Sequence, residues 1–307
     1  MHQAGIDVTL LARGDRLRDL QSHGVRFAIH PSIEVVSVPV PVTSEMTMAG
    51  RSDCVFVVMQ KQQAIDLTPT LAASRSDSTV VCYIGNNGTC VTDYREHIPE
   101  DYILLGFLGM GGHRLGDHMR LLVQKPTTIM LGTPSGKETP QLGLVGQVLR
   151  NAGLKVDVMP SIDAWLKCHL ATILPLAGGI YAAGTDNYRL TRTSGLMRVV
   201  ARAIKESLRV VTQLDYPLLP KQLSSISRVP ARLLVWMFGK RFASVEAEMG
   251  LAGHAKAARD EMRCLSKEFQ LLVDQSGVPT PNLVYLVRFL DPDIPTIGEG
   301  ITHIDIW

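Results

Sequence analysis

The sequence predicts a doubly wound α/β half followed by an all-helical half. Two apolar runs of strand length, residues 54–59 and 79–84, suit strands buried on both faces of a parallel sheet. They alternate with helical segments through the first half, the pattern of a layered α/β domain. Beyond residue 160 only helical spacing is read. A length of 307 residues suits two domains of roughly 100–200 residues each. The expected division is 1–158 and 159–307.

The elements follow in order. Residues 8–12, Val-Thr-Leu-Leu-Ala, form a β-type run that ends at Arg13-Gly14. Residues 15–20 open a helix with Asp15 as its expected cap. Residues 33–42 alternate and hold prolines that suit an edge strand. The strand at 54–59 leads through Gln60-Lys61-Gln62-Gln63 into a helix at 64–73. The strand at 79–84 ends in Gly85-Asn86-Asn87-Gly88. Residues 140–152 read as a connecting helix and 155–159 as a short final strand.

Ser161 or Asp163 then caps a helix that holds Trp165, Lys167, Cys168 and His169. Residues 170–184 carry no charge, yet about 20 apolar residues are needed to span a bilayer, so this is a buried core helix. Residues 196–214 are amphipathic, with Val200, Ala203, Ile204, Leu208 and Val211 on one face. Residues 217–229 read as a loop and 230–242 as an apolar helix. Residues 254–275 form a helix whose stripe is Ala255, Ala258, Met262, Leu265, Phe269 and Leu272, with Glu261 at its edge. Gly277 and Pro279 end it.

Several function classes are excluded. A net charge of +2 and 6% aromatic residues give neither the footprint nor the stacking platform of a nucleic-acid binder. The five cysteines are odd in number, widely spaced and lack a CxxC, which reads as free thiols in a reducing compartment. No cluster has metal-ligand spacing, so no metal is expected. The N-terminus has no signal-peptide pattern, and a cytoplasmic location is expected. Neither nucleic acid nor membrane is expected as a partner; a homodimer is a candidate assembly. Residues 132–138 imitate a phosphate loop, but the glycine spacing is one short and Glu138 replaces the required hydroxyl. Residues 109–114 lack G-x-G-x-x-G spacing. Both are expected to be loops.

In open α/β sheets ligands bind beyond the carboxyl ends of strands. The candidate loops are therefore those at Arg13, at Gln60-Lys61 and at Asn87-Gly88. An Arg after the second strand of a dinucleotide fold can hold a 2′-phosphate. Lys167, on the buried side of its helix, needs a carboxylate or a ligand. Residues 1–8 read as the tail of a first helix ended by Gly5. The first strand and its glycine turn are therefore expected to be absent from this stretch, either lying upstream of it or lost in a shortened version, and the chain as given is expected to bind NADPH weakly or not at all.

The whole chain resembles the ketopantoate reductase (2-dehydropantoate 2-reductase) family. The resemblance is carried by residues 4–14 with Arg13, by Asn86-Asn87-Gly88, by Trp165-Leu166-Lys167, by Ala258-Arg259-Asp260-Glu261 and by Gly277-Val278-Pro279-Thr280-Pro281. It implies a Rossmann-like domain, here lacking its first strand, followed by a helical substrate domain. It implies NADPH as cofactor and reduction of a 2-oxo acid, with Lys167 donating a proton and Glu261 binding a substrate hydroxyl. Arg13, Gln60, Lys61, Asn87 and Gly88 would contact the cofactor. Where the family often has Asn one and two turns after the lysine, this chain has Ala171 and Pro175, so ketopantoate and another 2-oxo acid both remain candidate substrates. A non-catalytic relative that binds a metabolite or partner is the alternative.

Overall fold

A computed structural model describes residues 1–123 and 125–306. The chain forms two compact units. The first comprises Met1–Gly85 and Thr89–Ile162, and the second comprises Asn86–Gly88 and the chain from Asp163 onward.

In the first unit a 3-10 turn, His2–Ala4, ends at Gly5, which takes the left-handed conformation at φ 77°. Strand β1 (Leu10–Leu11) leads to α1 (Gly14–His23), β2 (Val25–Ile29), β3 (Val36–Val38) and β4 (Val42–Thr43). Next come β5 (Cys54–Val57), α2 (Lys61–Ser74) and β6 (Val80–Ile84). Strands β7 (Ile103–Leu108), β8 (Met110–Leu115), β9 (His118–Val123) and β10 (Thr128–Gly132) run on without an intervening α-helix. Helix α3 (Pro140–Asn151) and β11 (Lys155–Val158) complete the unit.

The main sheet has the order β11-β10-β7-β6-β5. Strands β5, β6 and β7 are parallel, as their continuous apolar runs predict. β10 is antiparallel to β7, so the sheet is mixed. Helix α3 covers it with Leu142, Val145 and Leu149 against Val80, Cys82, Leu104, Ile129 and Leu131. Each such side chain contributes about 1.5–3 kcal/mol on full burial. β1 and β4 form a separate parallel pair, Leu10 against Val42.

A second sheet, β3-β2-β9-β8, is not anticipated by the sequence. Residues 109–114, expected to be a loop, supply most of β8. The glycines are the reason. A Cβ at Gly112 would lie 2.6 Å from the Arg120 carbonyl oxygen, so only glycine lets β9 approach this closely. Asp15 does not cap α1 either. Arg13 holds the N-cap position without a side-chain bond, while Asp15 lies in the first turn and accepts from Arg18.

The second unit is helical: α4 (Ile162–Ala182), α5 (Asn187–Arg192), α6 (Ser194–Gln213), α7 (Leu223–Arg228), α8 (Ala231–Phe242), α9 (Val245–Ala247), α10 (Gly253–Ala257), α11 (Arg259–Ser276) and α12 (Pro281–Val287). The uncharged stretch of α4 is its core, packed against α6, α11 and α12 residues such as Val200, Phe269 and Leu286. Two glycines permit the closest approach. A Cβ at Gly178 would sit 2.8 Å from the Leu286 carbonyl, and one at Gly179 would sit 2.5 Å from Val200 Cγ2. Among the described residues no helix is long and apolar enough to cross a membrane.

Two helical readings need correction. The serine-rich 217–229 contains α7 rather than loop alone. The expected helix at 254–275 is broken at Ala258 (φ −122°, ψ 28°) into α10 and α11, and a π-helical turn, Glu248–Ala252, precedes it. The predicted stripe from Ala255 to Leu272 is nevertheless buried throughout.

Candidate functional site

In the second unit Lys167 stands one turn into α4 and is only 4% exposed. Its ammonium donates to Asp163, four residues earlier on the same helix. It also lies 4.7 Å from the centre of the Tyr216 ring. Asp163, expected as a cap, is thus the partner that a buried ammonium requires. The tyrosine face adds a cation–π contact.

The three residues Asn86–Gly88 follow β6 in sequence but belong to the second unit. The Asn86 side-chain amide donates to Glu261 Oε1 at 3.4 Å. Its own Oδ1 is buried without a partner. The Gly88 amide donates to Glu268 Oε2 at 2.7 Å. A Cβ on Gly88 would fall 2.8 Å from Leu170 Cδ2, so the glycine admits the loop against α4. Asn87 is buried.

Glu261 sits in the first turn of α11, where the helix dipole favours a carboxylate. It is 4% exposed, and His254 Nε2 lies 3.7 Å from its Oε2. The Trp165 and His169 rings stack at 5.3 Å and 9°. Burial, with the His254 charge nearby, pushes His169 down to about 4. The unfolded chain therefore binds a proton between about pH 6.5 and 4 that the folded chain does not, and stability falls as pH drops through that window. Denaturant midpoints taken from pH 7 to pH 4 should drop, and His169→Gln should flatten the slope. The imidazole retains some exposure, so about 2 kcal/mol is expected.

In the first unit Lys61 begins α2 with a side chain that is fully buried. Its ammonium meets Asp93 at 2.7 Å, Tyr94 Oη at 3.1 Å and Thr89 Oγ1 at 3.2 Å. Tyr94 stacks on Tyr83 with centroids 3.8 Å apart. Burial alone would raise the Asp93 carboxyl, but the Lys61 and Thr89 hydrogen bonds and the lysine charge win and lower it. Lys61, expected beside a cofactor, has its ammonium turned into the unit, where it ties the start of α2 to the 89–94 turn. Gln60 holds the α2 N-cap position and accepts from the Gln62 side chain at 2.7 Å. Arg13 is exposed at the start of α1, and among the described residues its guanidinium has no ion pair.

The structure therefore brings Asn86, Gly88 and Glu261 together with Glu268 and His254, and holds Lys167 on Asp163. Glu268 and His254 escaped the sequence reading. Glu268 lies seven residues beyond Glu261, two turns along α11, which is a usable signal, whereas His254 lies seven residues before it, across the break at Ala258. Asp93 and Tyr94 also escaped it, because nothing local links them to Lys61. Among the described residues no group of three or more His, Cys, Asp or Glu could hold a metal ion.

A mixed, mostly parallel sheet with helices against it, followed in the chain by a helical unit carrying a buried lysine, is the Rossmann-like arrangement with a helical C-terminal part. Residues 1–135 match the family described as ketopantoate reductase PanE/ApbA. No curated protein matches the chain. A PanE/ApbA family ketopantoate reductase from Ralstonia eutropha JMP134 is 15% identical, with TM-score 0.75 over 94% of this chain and 90% of that one. The 2-dehydropantoate 2-reductase from Geobacter metallireducens GS-15 is 13% identical, with TM-score 0.75 over 95% and 94%. A D-mandelate dehydrogenase solved with NADH and anilino(oxo)acetate is 15% identical, with TM-score 0.72 over 95% and 92%. At these identities the likeness is one of fold.

Proposed function

We propose that this protein reduces a 2-oxo acid to the 2-hydroxy acid, with NADPH as the hydride source. The observation that carries the reading is Lys167, a buried ammonium held in place by Asp163. The family match over residues 1–135 supports it. The first unit is the cofactor-binding half and the second binds substrate.

The residues present fit a nicotinamide dinucleotide at one identifiable point. Arg13 is an exposed guanidinium with no ion pair, directly after β1, where a 2′-phosphate is met in this fold class. Gln60, at the α2 N-cap, and Asn87 complete the cofactor side. Lys61 contributes by holding the start of α2, and Gly88 by admitting the loop. When bound, the dinucleotide supplies hydride to the carbonyl carbon.

Lys167 donates a proton to the carbonyl oxygen as negative charge develops there; a positioned ammonium both stabilises that charge and neutralises it. Asp163 keeps the ammonium oriented. Glu261 accepts from a substrate hydroxyl, and the partnerless Asn86 Oδ1 beside it offers a second acceptor. Ala171 is fully buried and Pro175 lies inside α4, so neither offers a polar contact. The substrate is ketopantoate or another 2-oxo acid.

Initial rates with NADPH across a panel of 2-oxo acids test the activity; no turnover of any of them would leave a binding protein. Arg13→Ala tests cofactor choice. It should weaken NADPH by roughly 1–3 kcal/mol, the scale of a charge-assisted contact, while leaving NADH nearly unchanged. Equal losses for both cofactors in a calorimetric titration would remove Arg13 from the site.

A further inference from the structure

Helix α8 packs on α5 and α6 through Leu234, with Val235, Phe238 and Phe242 half-buried beside it. Its opposite face is not polar. Leu233, Trp236 and Met237, spaced three and four apart on one side, are 47%, 59% and 45% exposed. At 100° per residue Arg232 borders this apolar stripe on one side and Arg241 borders it on the other. Lys240 lies over the Trp236 ring at 4.4 Å.

The charge of the sequence that contains the stripe is one-sided. From Tyr216 to Val245 the chain has five Lys or Arg and no Asp or Glu, against +2 for the whole protein. Lys221, Arg228, Arg232, Lys240 and Arg241 are all exposed, and among the described residues none of them forms an ion pair. The three cations on α8 that border or cross the stripe, Arg232, Lys240 and Arg241, together with three bare apolar side chains call for an anionic surface that also accepts apolar groups. A second copy of this chain fits poorly, because a two-fold contact would set like charges against each other.

We infer that the exposed face of α8 docks on an anionic phospholipid surface. Trp236 sits at headgroup depth, where an amphipathic indole is favoured, with Leu233 and Met237 beside it. Arg232, Lys240 and Arg241 lay their aliphatic stems along the stripe and reach lipid phosphates. The sequence suggests no membrane partner because it holds no spanning segment; an in-plane contact needs none.

Co-sedimentation of the full chain with vesicles tests this. The protein should partition onto phosphatidylcholine vesicles containing phosphatidylglycerol, not onto phosphatidylcholine alone, and raised ionic strength should release it. Trp236→Ser with Leu233→Ser should lower partitioning by about tenfold or more, as should the charge reversal R232E/K240E/R241E. All these side chains are exposed, so thermal unfolding of both variants should match the parent. Three results would each overturn the proposal: no partitioning onto anionic vesicles, equal partitioning onto both vesicle types, or variants that bind like the parent. Self-association that the same variants abolish, without vesicle binding, would assign the face to a second copy and overturn it too.

Discussion

Replacing Lys167 with alanine should lower kcat by about a hundredfold or more, the scale of a positioned general acid. The loss should appear in kcat rather than in the affinity for NADPH, because the lysine acts on the carbonyl oxygen and not on the dinucleotide. Stability should change little. Alanine is the best helix former, and Asp163, at 19% side-chain exposure, can rehydrate once its partner is gone. NADPH oxidation followed with the best 2-oxo acid of the panel reads the effect directly. Near-normal kcat in Lys167→Ala would leave the resemblance one of fold and family alone.

The second large effect is on stability and needs no substrate. Asp163→Ala leaves the Lys167 ammonium buried without its counter-charge. Breaking a buried pair from one side costs about 3–5 kcal/mol, far more than the pair is worth against a well-packed apolar substitute. Asp163→Ala with Lys167→Met should therefore regain most of what Asp163→Ala loses. Urea midpoints for the four proteins of the cycle give the coupling. A loss under about 1 kcal/mol in the single variant would mean that the lysine swings out to water instead.

Which parts of this arrangement sequence could reveal follows from the range of the interactions. The parallel strands β5 and β6 were legible because burial on both faces leaves an unbroken apolar run. The stripe on α11 was legible because its spacing is local. Strand β8 was not, since Gly111 and Gly112 erase the alternation by which strands are read. The break at Ala258 carries no glycine or proline to announce it. The Asp163–Lys167 pair has the spacing of a helical ion pair, yet an acid at a helix start serves equally as a cap, and sequence alone does not separate the two. Lys61 read as a ligand contact from its place in the loop after a buried strand; its turn inward depends on Asp93, thirty-two residues on. Glu268 and Gly88 are 180 residues apart, and nothing local connects them.

The assignment of Asn86–Gly88 to the helical unit has a consequence for dissection and synthesis. The backbone passes between units after Gly85, again after Gly88, and finally after Ile162. A fragment starting at Asp163 would leave Glu268, a buried carboxylate, without the Gly88 amide, and Glu261 without Asn86. Such a fragment should express poorly or stay loose, and adding the three-residue loop as a separate peptide would hardly help, because ordering it costs more entropy than two hydrogen bonds return. During translation the loop leaves the ribosome long before Glu268 does. The first half can therefore settle its strands while this loop waits for α11, so that completion of the first half's own topology and maturation of the Glu261–Asn86 site are separated in time.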